Sequence, residues 1–459
     1  MKALFQQIHQ FYIEAECSQP MHVGCGEESS EVLVKHSSGL PFIQGTSIAG
    51  AFSSYVETAF GREEQEKYFG SSEKENGITG KSALVFSEGK FQPEKFRIEM
   101  RTRVSLDGET GSVKSQTLQG TGAKSGQVMD VEYIARGSSL CFSVYAFDDG
   151  RDIVRECLAA LNRGQIQLGG KNTIGCGKVK LTCVKYRYFD MQKGEDRKAW
   201  QNTQVGTENA GTGTEILEEI TQMPVSGVNY VITADMELKT PFLLKANGID
   251  DEVAMSMLHM KDEDSLPKAM PLLDGKKDFV IPGSSLKGVF RSRFEMIGDY
   301  LGIEPETVIH VFEDKSDISF EDAVICNVKE EGRAVNQPRI HINKLTGSVM
   351  DKSLFWEMTI GGRTSIKITV PKNSSRKAGM DVKAEIGFLL YILRDFHVGA
   401  VTMGSGAGIG RGYMKIGNVK IYDGDETQKL AEFDMENPSQ AGAFADSCVK
   451  AAASLRRED

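Results

Sequence analysis

Apolar residues recur at helical spacing in four stretches of the chain and alternate in several others. From 46 to 60, Ile48, Phe52, Tyr55, Val56 and Phe60 fall on one helical face. Ile153, Cys157, Leu158 and Leu161 predict a second helix over 152–161. Leu286, Val289, Phe290 and Phe294 predict a third over 284–301, and a run rich in Leu, Ile and Phe predicts a fourth over 382–396. Strand-like runs lie at 11–18, 83–87, 96–100, 131–134, 140–147, 179–186, 230–238, 364–370 and 414–422. The charged, Gly-rich stretch 61–80 reads as a loop. Residues 101–131 hold few large apolar side chains and cannot bury a core, so they are either disordered or a protruding hairpin; 339–360 is a second hairpin candidate.

Two Gly turns organise this pattern. In FVIPGSSLKGVFRSR (279–293) an apolar run meets Pro-Gly, and Ser284 and Ser285 follow as N-cap candidates. Such a turn leaves backbone N–H groups pointing outward at a helix N-terminus, which suits a phosphate, and Lys287, Arg291 and Arg293 lie nearby. The same design recurs upstream in FIQGTSIAGAF (42–52), where Gly45 precedes Gly283 by 238 positions. RVSLDGETGS (103–112) matches RIHINKLTGS (339–348) at an offset of 236, and the Gly-rich turn 169–177 matches 404–412 at 235. Three matches in one order at nearly one offset indicate a duplicated domain. Strands with two helices on one face predict an α+β, ferredoxin-like sheet in each copy. The expected division is 1–188 for the first domain, 189–227 for a polar linker, 228–425 for the second, and 426–459 for a short helix and tail.

The net charge of −10 argues against a free-standing nucleic-acid binder, although a local basic groove stays possible because the acid is concentrated elsewhere. Eight scattered cysteines form no CxxC pair, which points to reduced cytoplasmic thiols rather than zinc or disulfides. No run of 18 apolar residues exists, so no membrane partner is expected. GxxxxGK[ST] is absent, which excludes a P-loop ATPase.

IPGSSLKG with its helix, RIHINKLTGSVMDKSLFWEMTI and GSGAGIGRGYMKI together resemble the repeat-associated mysterious protein (RAMP) superfamily of CRISPR systems. The chain looks like two backbone domains of a type III effector complex fused in tandem, as in some type III-D systems. The resemblance implies RRM-like modified ferredoxin folds, crRNA laid across successive domains, and a hairpin thumb from each domain wedged between guide–target base pairs. Those thumbs would be 103–130 and 339–355. Wedging needs apolar tips, for which Leu106, Leu118, Met129, Ile342, Leu345, Met350 and Phe355 are candidates. The implied RNA-binding residues are Gly45, Thr46 and Ser47; Gly283, Ser284, Ser285, Lys287 and Arg291; Arg103, Arg339, His341 and Lys344 at the thumbs; and Lys171 and Arg411 in the Gly-rich turns. Taken alone, each cation could equally be a solvated side chain.

The family can also cleave target RNA, using an Asp in the connection before the PGSS strand. The displaced nucleotide's 2′-OH attacks the adjacent phosphate, and a carboxylate with Mg²⁺ or another divalent cation neutralises charge. By position that residue is Asp264, then Asp262, with Asp264 as the metal ligand; the first copy offers only Glu28 and Glu31. The implied partners are crRNA, target RNA, a large polymerase-like subunit, and other backbone and small subunits. A non-catalytic scaffold and a stand-alone crRNA-processing nuclease are the alternatives.

Overall fold

The computed structural model describes residues 5–24, 31–70, 81–104, 115–117, 124–126, 128–203, 212–246, 248–260, 265–312, 318–372 and 380–456. Two compact units emerge. One comprises Met1–Glu99, Glu132–Tyr230 and Asp423–Thr427; the other comprises Met100–Val131, Val231–Tyr422 and Gln428–Asp459.

The chain runs β1 (Gln7–Cys17), β2 (Phe42–Ile43), α1 (Gly45–Phe60), α2 (Arg62–Phe69), β3 (Leu84–Phe86), β4 (Gly89–Phe91) and β5 (Ile98–Val104). The short pair β6 (Ser115–Thr117) and β7 (Lys124–Gly126) precedes β8 (Val128–Ile134), β9 (Ser139–Phe147), α3 (Arg151–Asn162) and β10 (Val179–Asp190). Next come α4 (Gly194–Gln201), β11 (Thr214–Glu215), α5 (Leu217–Gln222), β12 (Asn229–Phe242), α6 (Asp251–Leu258), β13 (Val280–Ile281), α7 (Gly283–Tyr300) and α8 (Pro305–His310). The remainder is β14 (Ser319–Phe320), β15 (Ala323–Val324), β16 (Ala334–Arg339), β17 (Phe355–Pro371), α9 (Val382–His397), β18 (Met414–Asp423), β19 (Gln428–Asp434) and α10 (Gly442–Ala453).

The first unit's sheet has the order β11-β10-β1-β9-β4-β2, with β3 also on β9. The second unit's order is β14-β17-β12-β18-β19, with β16 also on β17. In each, the first strand is interior, β1 between β10 and β9 and β12 between β17 and β18. This is the α+β, ferredoxin-like arrangement that the duplicated pattern predicts. In the first unit Phe11, Ile13, Phe52, Val56, Phe142 and Leu158 are buried in one cluster. In the second, Phe294 stacks on Phe388 at 4.4 Å, and Phe290 lies 5.1 Å from Phe320.

The duplication is visible in backbone detail. Gly177 N donates to Pro20 O and Leu168 N to Gly177 O, at 2.8 and 2.9 Å. In the second unit Gly412 N donates to Pro241 O and Met403 N to Gly412 O, at 3.1 and 3.0 Å. Each loop carries one 3-10 turn, Asn172–Ile174 or Ala407–Ile409. A Cβ on Gly177 would stand 2.1 Å from Leu168 O, and one on Gly412 would stand 2.0 Å from Met403 O, both at positive φ. Only glycine allows these loops to lie so close to their neighbours.

Several elements differ from expectation. Within 61–80, α2 forms without an apolar stripe; the Arg62–Glu66 and Lys67–Glu64 pairs run along it instead. The stretch expected to be a linker, 189–227, carries structure where it is described. α4 places Trp200 5.5 Å from both Tyr145 and Phe189, β11 pairs with β10, and Ile220 of α5 is buried. In the tail, α10 packs on α9 so closely that a Cβ on Gly387 would meet Cys448 O at 2.2 Å.

A prediction follows from the loop geometry. Gly412→Ala should lower unfolding stability by roughly 2–4 kcal/mol through strain and clash. Gly408→Ala, where nothing lies within 4 Å, should change it by less than about 1 kcal/mol. Urea unfolding of both variants checks the contrast, and equal losses would contradict it.

Candidate nucleic-acid interface

Each half of the chain carries a Gly turn, a Gly-rich loop and a hairpin. In the first hairpin β5 pairs with β8, and β6 with β7 through Ser115↔Gly126 and Thr117↔Lys124. Of its apolar candidates, Met129 is exposed, whereas Leu106 and Leu118 lie outside the described residues. In the second, β16 and β17 pair from Ala334↔Ile360 to Arg339↔Phe355. The chain then projects through the Ile342↔Val349 bridge to a turn closed by Gly347 N donating to Asn343 O at 2.9 Å. Leu345 at that turn is 97% exposed, and Ile342 and Met350 are also exposed. Large apolar side chains at a hairpin tip have no core to join and are available to something outside the chain. Phe355 differs from them: it is partly buried at the stem and stacks on His341 at 5.1 Å. His341 and Lys344 are exposed.

The two Gly turns start their helices alike, with Gln44 and Pro282 as extended N-caps lacking a side-chain bond. Ser284 and Ser285 are therefore not the caps. In the second unit Asp322 supplies what they do not: its Oδ1 accepts from Gly283 N at 2.8 Å. Its Oδ2 meets Arg101 Nη1 at 2.6 Å, with both side chains under a tenth exposed. The N–H expected to face a phosphate at Gly283 is thus engaged by a carboxylate. Thr46 and Ser47 at the first turn are exposed, and Ser284, Ser285 and Lys287 are half-buried. Arg291 pairs with Glu295 at 2.8 Å one helical turn on, and Arg293 pairs with Asp395 of α9 at 2.7 Å.

The Gly-rich loops hold their cations inward. Lys171 Nζ lies 2.7 Å from Glu31 Oε2, so Glu31 serves an ion pair. Beside it, Lys35 Nζ meets Glu132 Oε2 at 3.0 Å. Arg411 is buried, its Nη1 2.7 Å from Glu357 Oε2, and it also donates to Gln337 Oε1. Glu357 takes Lys245 Nζ at 3.1 Å and Arg339 Nε at 3.8 Å as well. Burial would raise the Glu357 carboxyl, but the hydrogen bonds from Arg411 and Lys245 outweigh it and hold the group below its ordinary 4.5. Glu357 and Asp322 were not legible as site residues, since Arg411 lies 54 positions from Glu357 and Gly283 lies 39 from Asp322. Arg103 is half-buried on the first stem.

Asp262 and Asp264 lie outside the described residues, as does Glu28. Their neighbour Ser265 is tied to the second hairpin stem, where Asn336 Nδ2 donates to its O at 2.8 Å. Other acids of that connection have structural partners. Asp250 caps α6 by accepting from Val253 N, which lowers its pKa, and Asp274 Oδ1 accepts from Lys276 N and Asp278 N. Among the described residues no group of three or more His, Cys, Asp or Glu side chains could hold a metal ion. No described helix is long and apolar enough to cross a membrane.

This geometry meets an independent sequence comparison. The RAMP superfamily profile matches residues 14–180 and 235–415, one match in each half. The chain belongs to the RAMP superfamily. The two RAMP regions contain both Gly turns, both hairpins and both Gly-rich loops. No match appears among curated proteins. Among solved structures, a chain titled "Cryo-EM structure of the Type III-B Cmr-beta bound to cognate target RNA" is similar at 16% identity and a TM-score of 0.29. That likeness covers 39% of this RAMP chain and 61% of the other.

The Arg411–Glu357 pair gives a pH-dependent prediction. Arg411→Met leaves a buried carboxylate short of its main partner and should cost about 3–5 kcal/mol at neutral pH. In the native protein Glu357 has a depressed pKa, so its contribution is present above the unfolded value and lost as pH falls through the folded one. The stability gap between native protein and variant should therefore shrink as pH falls below 4.5 in urea titrations. A gap independent of pH would contradict the assignment.

Proposed function

We propose that this chain is a backbone subunit of a type III CRISPR RNA-guided effector complex, binding crRNA and target RNA. The observation that carries the reading is the tandem RAMP architecture. Both modules repeat one constellation of glycine loop, helix-starting turn and projecting hairpin. The hairpin at 339–355 supports it further, because its exposed Ile342, Leu345 and Met350 suit a wedge that unstacks bases. Cations at its root suit the phosphodiester backbone. Large polymerase-like, backbone and small subunits would be the protein partners in the cytoplasm.

We further propose target-RNA cleavage at the second module. Asp264 is the favoured residue and Asp262 the second; the attachment of neighbouring Ser265 to the hairpin stem supports this position. Asp264 would help to hold a divalent cation, which would supply the positive charge needed at a phosphate attacked by the 2′-OH of a displaced nucleotide.

Two measurements test these readings. In a complex reconstituted with guide RNA, Asp264→Ala should abolish one target-cleavage product while assembly is retained. An unchanged cleavage pattern would leave a non-catalytic scaffold. Leu345→Ser should preserve guide binding but weaken or slow target pairing by several-fold; unaltered target pairing would remove the wedge role.

A further inference from the structure

The two modules surround their Gly-rich loops with different charge balances. In the first, Lys171 faces Glu31 and Lys35 faces Glu132, so two cations meet two carboxylates. In the second, Arg411, Lys245 and Arg339 converge on Glu357 alone among the described residues. Arg411 is 5% exposed and makes the shortest of the three contacts, so it neutralises Glu357 from beneath. Lys245 and Arg339 are 53% and 38% exposed, and they remain as surplus charge at the root of the second hairpin. At the loop offset of 235, Cys176 stands opposite Arg411 and Gly406 opposite Lys171. The modules therefore share a backbone design but not a charge arrangement.

We propose that the electrostatic hold on an RNA phosphodiester backbone is concentrated in the second module, at Lys245 and Arg339. In the first module Lys171 and Lys35 are each met by a carboxylate, so that loop contributes shape and backbone contacts. This inference rests on the RNA-binding reading above. Glu357 is a positioning residue: it anchors three cations at one point, and Arg411 holds it in place. A single carboxylate cannot compensate three cations, so the exposed two present an attraction for phosphate that pairing in the first module removes.

The test is the salt dependence of binding between the full chain and a fluorescein-labelled single-stranded 40-nucleotide RNA, from 50 to 200 mM salt. Each phosphate contact on a single strand contributes about 0.7 to the slope of log K against log salt. Lys245→Gln with Arg339→Gln should lower that slope by about 1.4 and weaken binding roughly tenfold at the lowest salt. Lys245→Arg with Arg339→Lys should restore the slope. Lys35→Met with Glu132→Gln removes a neutral pair and should leave the slope unchanged. If the unmodified chain fails to bind, the RNA-binding reading itself falls. If it binds but the Gln variant keeps the full slope, or the neutral pair variant loses as much, the asymmetry is wrong.

Discussion

A carbonyl lying where a side chain would otherwise begin is the constraint on which each module depends. Leu168 O and Met403 O occupy the space that a Cβ on Gly177 or Gly412 would need. The loops can then hydrogen-bond to Pro20, just past β1, and to Pro241 near the end of β12, which seats them beside the interior strand of each sheet. Gly169 and Gly404 repeat the device, against His22 O and Leu243 O. Four glycines thus fix where each loop passes, and the loop fixes where its neighbouring side chains sit. Such close backbone approach is what an extended polyanion lying across a loop would exploit.

On that frame, electrostatics separates support from surface. The protein carries a net charge of −10, so any attraction for RNA must be local. Buried pairs such as Arg101–Asp322 and Arg411–Glu357 stabilise turns and stems rather than facing solvent. Their value lies in geometry: removing either partner leaves the other charge buried and unpaired. Arg411 illustrates the distinction. Its place in a Gly-rich loop suggests an RNA contact, yet its guanidinium lies almost wholly beneath the surface.

Much of the fold was legible because its signals are periodic. Ile48, Phe52, Tyr55 and Val56 are buried on α1, and Leu286, Phe290 and Phe294 on α7, as their spacing predicts. Phe60 shares that spacing but lies exposed at the helix end. The first hairpin was legible through poverty of apolar residues, and the duplication through its constant offset. What escaped was non-periodic or distant. α2 is held by charge pairs and α6 by the Asp250 cap, neither of which leaves an apolar stripe. β17 runs to 17 residues, well beyond the expected 364–370, because its first part pairs with β16 as the hairpin stem. At the site, the sequence displays the cations and carboxylates but not who pairs with whom. Asp322 reaches Gly283 only once the fold is formed.

The central claim is that both modules cradle one RNA with their glycine loops and hairpin stems. Hydrogen–deuterium exchange of the chain inside a guide-loaded complex, against the same complex assembled without guide, tests it most directly. The account predicts that guide RNA slows exchange in both 169–177 and 404–412 and in both hairpin stems. Protection confined to one module, or found on the helices α3 and α9 instead, would contradict it.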